Sequence, residues 1–231
     1  MDEGGGGFAT RQNIMYKSLD GGVTWTSSIM GPRFNPPGTV SCGYFVAVAP
    51  IIRHMGWGQP GVGPNGVVHY AYAGKGTANG DTGDIFYVRS LDNGKTWTTP
   101  KKLNTGLESQ FKTQWMPSLS AELNGKVTVS WYDRRKATTT CVNVTDVGCK
   151  YERVGRQSTT NGATFNPSIT ISTALIPQPA QDDPGVQACY AGDYDYNTTL
   201  GGNAFVTWTD GRRSVGGVHV QDVDFAKVPL P

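Results

Sequence analysis

Apolar and polar residues alternate along short stretches of this chain, and turn residues separate those stretches. The clearest examples are 126–133 and 204–210, and residues 67–73 occupy the corresponding place earlier in the chain. A period of two indicates β-strands with one buried face. Long helices are not expected, because the 231 residues include 31 glycines and 14 prolines, the two poorest helix formers. The pattern therefore predicts an all-β protein of short strands and tight turns.

One turn segment occurs three times at nearly constant spacing. Its copies, called turn boxes here, are 18–25 (SLDGGVTW), 90–97 (SLDNGKTW) and 158–165 (STTNGATF), which begin 72 and 68 residues apart. In a hairpin turn the aspartate accepts backbone N–H groups, the glycines adopt positive φ, and the aromatic ring fills space between neighbouring units. The residues assigned to this structure are Ser18, Asp20, Gly22, Trp25, Ser90, Asp92, Gly94 and Trp97.

The strands around the boxes form a repeating unit of four, A to D, in which the box joins C to D. Expected A strands are 45–49, 116–122 and 191–198, and expected B strands are 67–73, 126–135 and 204–213. Tandem four-stranded antiparallel units are the sequence signature of a β-propeller. About 3.5–4 blades are expected, and the last C strand, near 218–225, would pair with the first C–D hairpin. No linker divides the chain, so 1–231 is expected to be a single domain.

Charge and cysteines exclude some classes and suggest a compartment. The net charge of +2 implies no general attraction to nucleic acid or acidic membranes, and no apolar run approaches the ~20 residues that span a bilayer. Cys141 and Cys149 flank a short polar loop and are predicted to form a disulfide, and Cys42 and Cys189 could form a second. Disulfides indicate a secreted or periplasmic protein, although residues 1–7 do not form a signal peptide.

The boxes resemble the Asp-box, also called the bacterial neuraminidase repeat. Two copies match it at every defining position, and the third has Thr160 where the aspartate is expected. The strand ends 131–135 and 208–213 and the segment 192–194 also look like those of sialidase-like propellers. The resemblance implies a sialidase-like propeller that hydrolyses or binds a glycan or a small anion. Sialidases of this family have six blades, so this chain would close alone, pair with a second copy, or be part of a larger ring.

Strand direction decides where chemistry is expected. The boxes lie on the bottom face, so Asp20 and Asp92 are expected to be structural. B-strand ends and A-strand starts share the top face near the axis, where loops on a rigid scaffold concentrate function. The residues expected there are Asp133, Arg134, Arg135, Asp210, Arg212, Arg213, Gln114, Trp115, Tyr190, Asp193, Tyr194, Asp195 and Tyr196, with Arg53 and His54 as further candidates.

Two interpretations of the top-face charges stay open. They are salt bridges between neighbouring units, or an arginine-rich funnel that binds an anion. In the second, the catalytic candidates are Asp133, Asp193, Asp210 and Tyr194, and the substrate-binding candidates are Arg134, Arg135, Arg212, Arg213, Trp115 and Tyr190. The resemblance implies three arginines, an aspartate acid/base and a tyrosine nucleophile activated by a glutamate. With only four glutamates in the chain, that full set is not visible.

Two other functions fit the same residues. Asp193, Asp195 and Asp210 could bind calcium, which takes six to eight oxygen ligands, and such an ion could assist an esterase, lactonase or phosphotriesterase. The sequence requires no other cofactor. A carbohydrate-binding or scaffold propeller without catalysis is the third hypothesis.

Overall fold

The computed structural model describes residues 2–4, 8–42, 45–49, 52–54, 57–77, 80–105, 112–137, 141 and 149–230. In this part of the chain every regular element is a β-strand, apart from one short 3₁₀ turn at Pro64–Gly66. All the strand pairs are antiparallel, which confirms the all-β prediction. None of the helical structure described is long and apolar enough to cross a membrane.

Two three-stranded sheets come first. One contains β1 (Asp2–Gly4), β2 (Arg11–Lys17) and β3 (Thr26–Ile29), and the other contains β4 (Val40–Cys42), β5 (Phe45–Ala49) and β6 (Ile52–His54). The first sheet holds the predicted C–D hairpin as β2 and β3. The second was not expected, because 45–49 was assigned to the A strand of the next unit.

Two complete four-stranded sheets follow. The first contains β7 (Gln59–Val62), β8 (Val68–Gly74), β9 (Asp84–Ser90) and β10 (Lys101–Lys102). The second contains β11 (Gln114–Ala121), β12 (Val127–Asp133), β13 (Glu152–Ser158) and β14 (Ile169–Thr170). Each sheet pairs its strands in chain order, as predicted for the A–D unit. The A strand of the first sheet is β7, so the prediction for 45–49 was wrong.

The last sheet has three strands. It pairs β15 (Asn197–Leu200), β16 (Asn203–Asp210) and β19 (Asp222–Pro229), and a small hairpin of β17 (Ser214–Val215) and β18 (Val218–His219) lies between the last two. β19 pairs with β16 along its whole length, from Asp222 opposite Asp210 to Pro229 opposite Asn203. The expected pairing of the last C strand with the N-terminal hairpin is therefore not what the described strands form.

All three turn boxes adopt one conformation. Their fourth and fifth residues have left-handed backbones, with φ of 70° and 94° in the first box, 59° and 81° in the second, and 52° and 75° in the third. Only glycine adopts this region freely and asparagine tolerates it, which explains why these positions hold only Gly and Asn. In the second box Asp92 accepts the backbone N–H and the hydroxyl of Thr96, at 2.9 and 2.6 Å.

The third box replaces the aspartate and keeps the turn. The Thr160 hydroxyl accepts the Thr164 backbone N–H at 2.9 Å, so a neutral oxygen takes the place of a carboxylate. The box aromatic packs against the preceding sheet, since the Phe165 ring meets the Tyr87 ring edge-on at 4.9 Å. The boxes thus join successive sheets as well as strands.

The core consists of apolar layers between successive sheets. One layer includes Ile85, Val129 and Trp131, all fully buried, between the two four-stranded sheets. Both cysteine pairs form disulfides, Cys42–Cys189 and Cys141–Cys149. The predicted loop bridge is therefore present, and two disulfides indicate folding in an oxidising compartment.

Candidate functional site

The end of strand β12 forms a closed polar clamp around a buried aspartate. Asp133 is 1% exposed. Its Oδ2 accepts Arg135 Nη2 at 2.7 Å and Trp131 Nε1 at 3.2 Å. Its Oδ1 accepts Gln114 Nε2 at 3.0 Å. The carboxylate is therefore surrounded by donors from its own strand end and from the neighbouring strand β11, and it has no open side for a substrate.

Strand β16 ends in the same arrangement. Trp208 Nε1 donates to Asp210 Oδ2 at 2.9 Å, and Arg212 Nε donates to Asp210 Oδ1 at 2.9 Å. The repeat seen in the sequence is thus a structural motif of tryptophan, aspartate and arginine at every second position. These salt bridges lie within one strand end, whereas the salt-bridge interpretation placed them between neighbouring units.

Two of the predicted substrate contacts are buried. Trp115 is 0% exposed and its ring packs against Tyr132 and Tyr151, and Arg134 is 4% exposed. The prediction that Trp115 contacts a substrate is therefore wrong. The register of β11 shifts between Trp115 and Ser118, and such a bulge changes the direction of neighbouring side chains.

The remaining candidates do not form one funnel. A shallow depression of about 260 Å³ is lined by charged side chains and one valine: Asp210, Arg212, Arg213, Asp222, Val223 and Asp224. Asp193, Tyr194 and Asp195 line a separate and larger cleft. Because no described cavity brings the two groups together, a single anion site between Asp193 and Asp210 has no structural support. The side chain of His54 lies outside the described part.

The larger cleft has a volume of about 490 Å³ and lies over the A strands β7 and β11 and the segment that leads into β15. Three aromatic side chains line it with substantial exposed surface: Trp57 at 38%, Tyr194 at 70% and Tyr196 at 59%. The two carboxylates of the cleft are Asp193 and Asp195. It therefore combines apolar ring faces with a few polar groups, as small-molecule sites do.

The floor of the cleft contains a strained residue. Met116 has a φ of 52°, in the left-handed region, and lies at the bulge of β11. A non-glycine residue there costs of order 1–3 kcal/mol, and such strain clusters at functional sites. Met116 lines the cleft, so the strain and the cavity coincide.

A fully buried ion pair fixes Asp195. Arg153 is 0% exposed, and its Nη1 lies 3.1 Å from Asp195 Oδ2. Asp195 Oδ1 accepts the Tyr132 hydroxyl at 2.8 Å and the Thr209 backbone N–H at 3.3 Å. The two carboxylate oxygens of Asp195 thus accept hydrogen bonds from three strands, β12, β13 and β16.

The Asp193 side chain is more exposed than that of Asp195, and it also accepts hydrogen bonds on both oxygens. Its Oδ1 accepts Arg53 Nη2 at 2.8 Å, and its Oδ2 accepts the Tyr190 hydroxyl at 3.1 Å. The Arg53 backbone N–H donates to the Cys189 carbonyl at 2.8 Å, and Cys189 is bonded to Cys42. The disulfide therefore fastens the β4–β6 sheet to the segment that carries Asp193.

Burial is the main cause of the pKa shifts at the cleft. It raises the pKa of Asp195 above its ordinary value, and the charge of Arg153 opposes this. Burial also raises the pKa of Tyr132 well above its usual range, and the Asp195 charge adds to the shift. The pKa of Tyr190 is raised for the same two reasons, with Asp193 as the neighbouring charge. Both phenols stay protonated at neutral pH and donate to the aspartates.

The predicted calcium ligands do not come together. Among the residues that the structure describes, no group of three or more His, Cys, Asp or Glu side chains could hold a metal ion. Each predicted ligand instead pairs with its own arginine, in the pairs Asp193–Arg53, Asp195–Arg153 and Asp210–Arg212. The donor set does not fit calcium in this arrangement.

Sequence reasoning missed two contributors to the cleft. Arg153 lies in a C strand, which was expected to be displaced from the axis, and the sequence did not single it out, because the same strand also contains Glu152 and Arg156. Trp57 precedes the true A strand, and it was overlooked because 45–49 was taken as that strand. Asp193, Tyr194 and Asp195, which the sequence analysis named, all line this cleft.

Comparison with known proteins supports the fold and leaves the family open. No protein-family model matches the chain, and no curated protein matches it either. Among solved structures, a Dyadobacter fermentans protein of unknown function has 16% identity and a TM-score of 0.50, and the match covers 96% of this chain and 47% of that one. An α-L-arabinofuranosidase of Fusarium graminearum bound to an iminosugar inhibitor has 15% identity and a TM-score of 0.50, with 96% and 58% covered.

A mutant of the NanB sialidase of Streptococcus pneumoniae is also similar, at 16% identity and a TM-score of 0.43, with 99% of this chain and 28% of that chain covered. The fold that this chain shares with the arabinofuranosidase is the antiparallel β-propeller. The chain spans about half the length of the structures it matches, 47% of the Dyadobacter fermentans protein and 58% of the arabinofuranosidase.

Proposed function

We propose that this protein is a propeller hydrolase that binds a glycan in the larger cleft and cleaves a glycosidic bond there. The observation that carries the proposal is the lining of that cleft, where two carboxylates lie beside three exposed aromatic rings. Most glycosidases act through a pair of carboxylates, and aromatic faces supply large contact area for a ligand. The arabinofuranosidase with the same fold, solved with an iminosugar inhibitor, supports a glycan as the ligand class.

The two carboxylates suit different tasks. The Asp193 side chain is 25% exposed, so it can touch a substrate as a general base or nucleophile, and its ion pair with Arg53 holds it in position. The Asp195 side chain is only 2% exposed. Paired with Arg153, it does not contact the sugar and keeps the segment of Asp193 in place, so that Asp193 would accept a proton from the attacking water while the leaving oxygen takes one from solvent.

The test is hydrolysis of linear arabinan, an aryl α-L-arabinofuranoside and an aryl sialoside by the parent and by Asp193→Asn. We expect turnover of at least one substrate, and we expect Asp193→Asn to lower kcat by about 100-fold or more. Asp222→Asn is the matched control, because it makes the same charge change in the separate depression. Equal kcat in Asp193→Asn and the parent would remove Asp193 from the mechanism.

A sialidase is the narrower form of this proposal, and the described side chains give it little support. Its nucleophile would be a tyrosine activated by a glutamate. Glu152 instead pairs with Lys136 at 2.7 Å, and Tyr132 and Tyr190 both donate to aspartates. A calcium-assisted esterase has less support still, because its three ligands pair with arginines.

A non-catalytic glycan-binding propeller is the second candidate. The observation in its favour is that both carboxylates already accept hydrogen bonds from protein donors on each oxygen. Glycan binding without turnover of any substrate would select this candidate. In either case, the two disulfides support a secreted or periplasmic location.

A further inference from the structure

The larger cleft carries only negative charge on its own walls. Asp193 and Asp195 line it, and no lysine, arginine or histidine is among the described residues that do. A sugar carboxylate or phosphate that enters the cleft must lose water, and burying such a charge is costly unless a cation or several donors meet it. Each of these aspartates already pairs with an arginine, Asp193 with Arg53 and Asp195 with Arg153.

Arg153 cannot serve an anionic ligand. It is fully buried, its Nη1 bonds to Asp195 Oδ2, and its Nη2 donates to the Ser130 hydroxyl at 2.9 Å. The Tyr132 ring covers the guanidinium, with 4.8 Å between the Arg153 Cζ atom and the ring centroid. Its charge is therefore used to hold Asp195 and is shielded from the cleft.

Arg53 is closer to the surface, and its charge is also compensated. Its side chain is 18% exposed, its Nη2 lies 2.8 Å from Asp193 Oδ1, and its Cζ atom lies 4.2 Å from the centroid of the Tyr190 ring. An anionic ligand would have to displace Asp193 from this pair, and it would then lie next to the displaced carboxylate. The anionic ligand and the Asp193 carboxylate, which are both negatively charged, would then repel each other.

We infer that the larger cleft selects uncharged glycans and rejects sugars that carry a carboxylate or phosphate, because the carboxylates lining the cleft already neutralise both neighbouring arginines. This inference rests on the proposed glycan function. Hydroxyl groups of a neutral sugar can donate to the remaining lone pairs of Asp193, whose side chain is 25% exposed, since a carboxylate offers about four acceptor positions. The aromatic rings contact the sugar whatever its charge.

The inference predicts a gain of function. Removing the charge of Asp193 takes away the carboxylate that Arg53 pairs with at the cleft, so Asp193→Asn should bind an anionic sugar better than the parent. Asp222→Asn is again the matched control, because Asp222 pairs with Arg213 at 3.5 Å in the separate depression. Both variants change the net charge by the same amount, so a difference between them reports on the cleft alone.

The experiment is calorimetric titration of the parent and both variants with arabinobiose, N-acetylneuraminic acid and the methyl ester of that acid. The acid and the ester share one skeleton and differ in charge. We expect the parent to bind arabinobiose and to bind the ester about tenfold or more tighter than the acid. We expect Asp193→Asn to bind the acid about tenfold tighter than the parent does, as one charge-assisted contact allows. Melting temperatures of both variants check that they are folded.

Three results would be decisive against these claims. If the parent binds the acid at least as tightly as the ester, charge selection is wrong and a glycan function survives. If Asp222→Asn gains affinity for the acid as much as Asp193→Asn does, the effect belongs to net charge and the inference fails. If none of the three sugars binds, the proposed glycan function fails and the inference fails with it.

Discussion

Buried aspartates in this protein accept hydrogen bonds from nearby donors, and Asp81 is an instructive exception at the scale of a residue. Asp84 is fully buried and accepts the Thr77 backbone N–H at 3.1 Å and Asn104 Nδ2 at 2.6 Å. Asp81 is 1% exposed, and within the described part of the chain only its Oδ1 has a donor, the Gly83 backbone N–H at 3.0 Å. Burial, reinforced by the Asp84 charge, raises the pKa of Asp81 to about 6.

A raised pKa makes this residue stabilising at low pH and destabilising at neutral pH. The folded state holds the Asp81 proton up to about pH 6, and the unfolded state releases it near 3.8, so the free energy of unfolding falls as the pH rises between these values. Asp81→Asn stays neutral throughout. We expect it to be up to about 3 kcal/mol more stable than the parent near pH 7 and similar to it below about pH 4.

Chemical denaturation at several pH values measures this effect. Asp182→Asn, at an exposed position, is the control and should follow the parent at every pH. If Asp81→Asn shows the same pH dependence as the parent, the unpartnered carboxylate is not the source of the loss near neutral pH.

At the scale of the element, the turn boxes show that a turn depends on its donors and acceptors more than on one residue type. The Thr24 hydroxyl donates to Asp20, and the hydroxyls of Thr160 and Thr164 bond to each other at 2.8 Å. The pKa of Asp20 falls to about 2, chiefly because of the side-chain hydrogen bond from Thr24. A carboxylate is thus favoured here in its charged form, and Thr160 supplies only a neutral substitute.

The boxes are therefore expected to act on stability alone. Asp92→Ala should lower the Tm, because Thr96 loses its acceptor, and should leave sugar affinity unchanged, because Asp92 is not among the residues that line the cleft. Thr160→Asp should raise the Tm at neutral pH. That gain should shrink as the pH falls from about 4 towards 2, the range between the ordinary aspartate pKa and the lowered pKa of Asp20 in the first box.

Differential scanning calorimetry and sugar titration test both variants, with Thr160→Asn as the uncharged control. A fall in sugar affinity in Asp92→Ala without a fall in Tm would contradict the assignment of the boxes to the face away from the cleft.

At the scale of the whole molecule, the outer edge of the last sheet decides whether two copies of the chain associate. Its outer strand β19 pairs only with β16 among the described strands, and free edges promote association. Two of its backbone N–H groups are satisfied by side chains, since Val223 N donates to Asp222 Oδ1 at 2.9 Å and Phe225 N donates to Asp224 Oδ1 at 2.8 Å. Because these two N–H groups are occupied and the side chains of Asp222 and Asp224 are charged, this edge is a poor template for another strand.

We therefore expect the 231-residue chain to be a monomer of 24.8 kDa rather than a pair of copies that complete one ring. Light scattering after size-exclusion chromatography measures the mass. The double variant Asp222→Ala and Asp224→Ala should associate, because it frees both N–H groups beside the exposed Val223 and Phe225. A parent of twice the monomer mass would show that the edge is not protected.

The sequence by itself determined the local features of this protein. Alternation predicted the B strands, the boxes predicted the C–D turns, and the short Cys141–Cys149 loop predicted its disulfide. These features depend on residues within a few positions of one another, where backbone periodicity and turn chemistry act directly. The A strand near 45–49 was misplaced because two runs could pair with β8, and no local rule distinguishes which one does.

Only the tertiary structure decided the candidate site. The pair Arg153–Asp195 joins residues 42 positions apart, and the pair Arg53–Asp193 joins residues 140 positions apart. The sequence shows that these charges exist but not which opposite charge each one meets, because that depends on how the sheets pack. The same packing separated Arg212 from Asp193 and buried Trp115. The charge of the cleft, and hence its expected ligand, follows from those distant pairings.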